Sequence, residues 1–97
     1  MYKYTFNDGH QATSMLPGDE VNKRMKRLSH LIMLLEGFDE GSVFNDIYKK
    51  AVRAYNKTDN FTGTIHLTFA EKDNLGYLVD RAINSPEDIA VLKYYLR

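Results

Sequence analysis

The clearest pattern of hydrophobic and polar positions lies between Asp19 and Glu36. Apolar side chains recur there at alternating intervals of four and three residues, which places them on one face of a helix: Val21, Met25, Leu28, Ile32 and Leu35. Acidic residues at the start suit the positive end of a helix dipole, and Gly37 follows where a left-handed cap residue is expected. The pattern therefore predicts a helix over residues 19–36.

The last turn of this predicted helix is apolar around most of its circumference. Leu31, Met33 and Leu34 extend the apolar surface beyond the stripe. A helix that is apolar on several sides has to be covered on several sides. Either other elements of the same chain cover this end, or a second subunit does.

Alternation with a period of two predicts strands at two places. Tyr2, Tyr4 and Phe6 alternate with polar residues, and the turn-forming sequence NDG then allows residues 11–16 to return as a second strand. Apolar and polar residues alternate again over residues 64–69. We expect this third strand to pair with the hairpin.

Local capping signals predict further helices. Ser42 suits the N-cap of a second helix. Thr68 and Glu71 have the spacing of a capping box, which predicts the start of a third helix. Ser85 and Pro86 suit the N-cap and the first position of a short last helix.

Together these elements predict an α+β fold in a single compact domain over residues 1–97. An N-terminal β-hairpin and one further strand form a small antiparallel sheet, which packs against about four helices. A composition of 43% hydrophobic and 27% charged residues suits one globular domain. A chain this short buries a modest share of its surface, so a partner subunit would add stability.

Composition excludes several kinds of chemistry. The chain has no cysteine and therefore no disulfide bond or thiolate zinc site. Its three histidines lack the helical spacing of a hydrolytic zinc site, and we expect neither a metal nor a cofactor. The longest apolar run, Leu31–Leu35, is too short to span a bilayer, and no secretory leader pattern opens the sequence. We expect a cytoplasmic protein that does not contact membranes.

Thirteen basic and thirteen acidic residues cancel, but basic residues cluster on the first two predicted helices. On the first helix they share the side opposite the apolar stripe: Lys23, Lys26, Arg27 and His30. On the second helix, Lys49 and Arg53 are one turn apart. If these helices pair antiparallel, the basic residues flank a groove for phosphates, and the protein binds a nucleotide or nucleic acid. The alternative is that they are ordinary solvated helix faces.

Asp8 and His10 lie at the predicted hairpin turn and offer a carboxylate and an imidazole for acid–base chemistry. A small hydrolase is therefore another hypothesis. Turn geometry by itself also favours Asn, Asp and Gly at such positions. Because no nucleophile motif accompanies the pair, we assign no catalytic residues.

The leading hypothesis is a small non-enzymatic binding or inhibitory module that acts by protein–protein contact. Seven tyrosines suit protein interfaces, since each buries a large ring and keeps a hydroxyl for hydrogen bonding. The expected interface lies at the apolar end of the first helix and at the C-terminus: Leu31, Met33, Leu34, Tyr94 and Tyr95. We expect a homo-oligomer, and the size and lack of catalytic motifs are typical of phage and mobile-element accessory proteins.

Overall fold

Four helices form the body of the described part of the molecule. The computed structural model describes residues 2–5, 9, 11–14, 16–56, 61–81 and 84–97. Two short strands come first, β1 (Tyr2–Thr5) and β2 (Gln11–Ser14). The helices that follow are α1 (Gly18–Leu35), α2 (Val43–Asn56), α3 (Phe69–Arg81) and α4 (Pro86–Tyr95).

The helices begin where the capping signals predicted. The Ser42 hydroxyl accepts a hydrogen bond of 3.1 Å from the amide of Asn45 at the start of α2. Thr68 and Glu71 form the reciprocal capping box, with the Thr68 amide donating to Glu71 Oε1 at 2.8 Å and the Glu71 amide donating to Thr68 Oγ1 at 3.2 Å. Ser85 is the N-cap of α4 through its backbone, and Pro86 is the first helical residue. These predictions are confirmed.

The helices pack as a closed ring, in which α1 contacts α2 and α4, and α3 also contacts α2 and α4. The buried apolar residues of the described chain lie on these helices, apart from Phe61 in the segment before α3: Val21, Leu28, Leu31, Leu35, Ile47, Ala51, Phe61, Leu75, Leu78, Leu92 and Tyr95. On α1 the buried side therefore centres on Leu28, Leu31 and Leu35. Met25 and Ile32, which were assigned to the predicted apolar stripe, are half-buried at its edge.

The predicted α+β class is wrong, because the fold is a helical bundle. β1 and β2 do pair antiparallel, with Tyr2 opposite Ser14 and Thr5 opposite Gln11, but no residue of the core described above lies on them. Residues 61–68 are not a strand, so the predicted three-stranded sheet is absent from the described residues. The segment touches the hairpin backbone through a 2.6 Å hydrogen bond from the Phe61 amide to the Thr13 carbonyl.

Asp8 and His10, the residues of the hydrolase hypothesis, lie outside the described residues. Tyr2 and Tyr4 belong to β1 by their backbone, and their side chains also lie outside the described part. Among the described helices, none combines the length and apolar character that crossing a bilayer requires.

Candidate functional site

Two of the predicted phosphate ligands on α1 contact α4. The guanidinium carbon of Arg27 lies 3.5 Å from the centroid of the Tyr94 ring, a cation–π contact. His30 Nε2 lies 2.6 Å from Asp88 Oδ1, and both side chains are about 70% buried, with 30% and 28% exposure. These side chains therefore link two helices of the bundle.

The other predicted ligands lie on separate surfaces. Lys23 and Lys49 are exposed. Lys26 lines a groove along α1, whereas Arg53 lines a pocket between α2 and the segment before α3. His30 lines the same groove as Lys26, but the six predicted residues do not share one described site, and phosphate binding by them as one set stays a prediction.

The groove along α1 is lined by two methionines, a tyrosine and several polar residues. It is an open surface feature of about 570 Å³. We call it the methionine groove, and its lining is Asn22, Met25, Lys26, Ser29, His30 and Met33 of α1 with Tyr55 of α2. The Met33 side chain is 68% exposed. This exposure leaves a long apolar side chain in solvent beside a second methionine.

The predicted interface residues likewise differ in their burial. Leu31 is fully buried and Tyr95 is 8% exposed, so both belong to the core of the single chain. Leu34 and Tyr94 are half-buried against that core. Other elements of the same chain, and not a second subunit, cover Leu31 and Leu35 at the apolar end of α1. Met33 stays exposed.

Burial also changes the chemistry of Tyr95. Desolvation raises the pKa of its phenol well above the usual value. Its hydroxyl oxygen is buried without a hydrogen-bond partner among the described residues. Tyr95 therefore stays a neutral phenol at physiological pH.

The second pocket collects polar groups from α2 and from the segment before α3. It measures about 360 Å³. We call it the threonine pocket, and its lining is Lys50, Arg53, Ala54, Thr62, Thr64, Ile65 and His66. The hydroxyl oxygens of Thr62 and Thr64 lie 2.8 Å apart, so the two side chains converge. Among the described residues of the lining there is no carboxylate.

Arg24 of α1 contacts the turn that carries the two threonines. Arg24 Nη1 donates a hydrogen bond of 2.7 Å to the Thr62 carbonyl, and the Arg24 guanidinium also pairs with Glu20 at 3.0 Å. Gly63 adopts a φ of +70°, and a Cβ there would lie 2.6 Å from Arg24 Cβ. The turn between the two threonines therefore requires glycine, both for its backbone angle and for its close approach to α1.

Lys50 anchors the other end of the pocket. Its ammonium donates to the His66 carbonyl at 3.0 Å and to Glu71 Oε1 at 2.6 Å. Burial opposes ionisation of Glu71, but the hydrogen bonds from Lys50 and Thr68 outweigh it and hold the pKa of this carboxyl below its ordinary value of 4.5. At neutral pH the ion pair fixes Lys50, and with it the backbone at His66.

Sequence reasoning missed most of the residues that line these two surfaces. Met25 was assigned to the apolar stripe of the first helix, although it lines the methionine groove. Thr64 was assigned to the predicted third strand, although it lines the threonine pocket. The sequence Thr62-Gly63-Thr64 carries a signal, because glycine between two hydroxyl residues favours a tight turn that brings their side chains together.

Comparisons of the chain with protein-family models, with curated proteins and with solved structures find no match in any of the three.

Proposed function

We propose that this protein is a non-enzymatic binding module that acts by contact with another protein through the methionine groove. The observation that carries the proposal is the 68% exposure of Met33 in a groove that it shares with Met25 and Tyr55. Contiguous apolar surface on a small domain is characteristic of interaction sites. Unbranched methionine side chains adapt to the shape of a partner, and a tyrosine adds a large ring with a polar end.

The charges around the groove indicate the kind of partner. Lys26 lines it, and among the described lining residues there is no carboxylate. A partner that presents apolar side chains flanked by acidic ones would match both features. A two-fold dimer through this face would instead bring Lys26 of both copies to the interface, with no carboxylate among the described lining residues of either groove. The arrangement therefore favours a different, acidic protein over a second copy of the chain.

A negative charge introduced in the groove tests the proposal. Met33→Asp should abolish partner binding for two reasons. It removes the apolar contact that Met33 makes, and its carboxylate repels the acidic side chains of the partner. Phe69→Asp is the matched control, since Phe69 is 82% exposed and lies outside the groove. Both variants should keep the helical circular-dichroism spectrum of the natural chain.

The measurement is affinity capture from a lysate of the source cells, with quantitative mass spectrometry of the bound proteins. We expect a set of acidic proteins that the natural chain and Phe69→Asp retain and Met33→Asp loses. Capture that is identical for the natural chain and Met33→Asp contradicts the proposal. Loss that Phe69→Asp causes and Met33→Asp does not would move the interface to α3.

A further inference from the structure

Hydrogen-bond donors converge in the threonine pocket from two parts of the chain. Arg53 contributes a guanidinium from α2, and Thr62 and Thr64 contribute two hydroxyls from the segment before α3. The imidazole of His66 lines the same pocket. Arg53 has no carboxylate partner among the described residues, whereas Lys50 is occupied by Glu71. Within the described part of the chain, the pocket therefore presents a cation without a counter-charge next to several neutral donors.

The threonine wall is positioned before any ligand arrives. Arg24 holds the Thr62 carbonyl, Lys50 holds the His66 carbonyl, and the buried ring of Phe61 anchors the start of the segment. Ordering a binding loop costs free energy, and a loop that is already fixed avoids this cost. One of the two hydroxyl protons lies in the 2.8 Å hydrogen bond between Thr62 and Thr64. The other proton can turn outward and donate to a ligand, because a hydroxyl proton rotates about its C–O bond.

We infer that the threonine pocket binds the phosphate group of a small phosphate monoester. A guanidinium donates two parallel hydrogen bonds to phosphate oxygens, which matches Arg53, and the outward proton of the threonine pair serves a third oxygen. The pocket volume of about 360 Å³ is many times that of one water, which occupies about 30 Å³ in the liquid. A bare phosphate would therefore leave much of the pocket empty. Ala54 and Ile65 line the pocket as an apolar wall for the organic part of the ester.

This inference is independent of the proposed protein contact. The methionine groove and the threonine pocket share none of their described lining residues. Met33→Asp should therefore leave phosphate binding unchanged, and a variant of Arg53 should leave protein capture unchanged. Failure of one proposal does not affect the other.

The test is an NMR titration of the full chain at low salt with ribose 5-phosphate, adenosine monophosphate, inorganic phosphate and ribose. We expect saturable shifts of the Thr62, Thr64 and His66 amides with both esters, weaker binding of inorganic phosphate, and none of ribose. Arg53→Gln should weaken ester binding about tenfold, the effect of losing one charge-assisted hydrogen bond. Thr64→Val should weaken it by a smaller factor. Lys49→Gln is the matched control, because Lys49 is exposed on the same helix and lies outside the pocket.

Four outcomes would overturn the inference: no shifts with either ester, binding of inorganic phosphate as tight as that of the esters, shifts confined to other parts of the chain, or equal weakening by Arg53→Gln and Lys49→Gln. Because Arg53 and Thr64 are exposed, their variants should fold. Unchanged amide shifts for the core of α1 and α4 provide the check on folding.

Discussion

Glu71 is a charged residue inside the core boundary, with 5% of its surface exposed. A buried carboxylate is costly unless hydrogen bonds and a counter-charge replace its water shell. Glu71 has both, since Lys50 and the Thr68 amide donate to the same oxygen, Oε1. The residue thus starts α3 and ties that helix to α2 at the same point.

Replacing Glu71 with Gln separates these two roles. Glutamine also serves in a capping box, so the variant keeps the cap and loses the ion pair. We expect Glu71→Gln to lower the free energy of unfolding by about 1–3 kcal/mol at pH 7, since Lys50 loses its charged partner. Urea unfolding followed by circular dichroism measures the loss. Glu40→Gln, in an exposed loop, should change stability by no more than about 0.5 kcal/mol.

The loss should depend on pH with a definite sign. The pKa of Glu71 in the folded chain is below its ordinary value of 4.5. Ionisation of Glu71 therefore stabilises the fold fully above pH 4.5, and this contribution disappears as the pH falls through the lower folded-state pKa. The difference between the natural chain and Glu71→Gln should shrink over that range. A difference that stays constant down to pH 2 contradicts the ion-pair role.

Arg27 and His30 show what spacing along a helix can and cannot predict. Their spacing correctly placed them on one side of α1, because helical periodicity is a local property. The spacing carries no information on which element packs there. Tyr94 and Asp88, more than fifty residues later in the sequence, contact these two side chains. The tertiary fold determines which residues contact this side of α1. The sequence pattern alone therefore predicted a solvent-facing basic surface.

The same distinction holds for whole elements. The helix starts at Ser42 and Thr68 follow from hydrogen bonds within three residues, and their sequence signals predicted them correctly. The prediction of a third strand was wrong, because alternation indicates an extended segment and does not show that a neighbouring strand exists. In the structure the Thr62 and His66 carbonyls accept hydrogen bonds from the side chains of Arg24 and Lys50. Helix side chains satisfy these backbone groups in place of a strand.

Two glycine substitutions test how tightly the segment before α3 is fixed. Gly63→Ala should destabilise the fold by about 1–3 kcal/mol, because alanine disfavours positive φ and its Cβ would lie 2.6 Å from Arg24 Cβ. Gly76→Ala, inside α3, should stabilise it by about 0.5–1 kcal/mol, since no atom lies within 4 Å of a Cβ there. Thermal and urea unfolding of both variants provide the comparison. A neutral Gly63→Ala would mean that the segment moves away from α1 at little cost.

At the scale of the molecule, the fold exposes two surfaces of different character on a chain without net charge. Leu31 and Tyr95, which the sequence analysis assigned to an interface, are buried in the core of the chain. The methionine groove and the threonine pocket both combine residues that are remote in the sequence, such as Met33 with Tyr55 and Arg53 with Thr64. Such surfaces arise from helix packing, which is why periodicity along one helix could predict single members and not the sets.

The oligomeric state tests the balance of apolar and charged contacts over the whole surface. If Lys26 disfavours self-association through the methionine groove, the chain should sediment as a monomer of 11.2 kDa at about 0.1 M salt. Raising the salt to about 1 M shortens the Debye length from about 10 Å to about 3 Å. Any association through this groove should then increase, since repulsion between the two copies is screened while apolar contact persists. Sedimentation velocity at both salt concentrations measures it. A dimer at about 0.1 M salt that Met33→Asp dissociates would show that a second copy, rather than an acidic protein, occupies the groove.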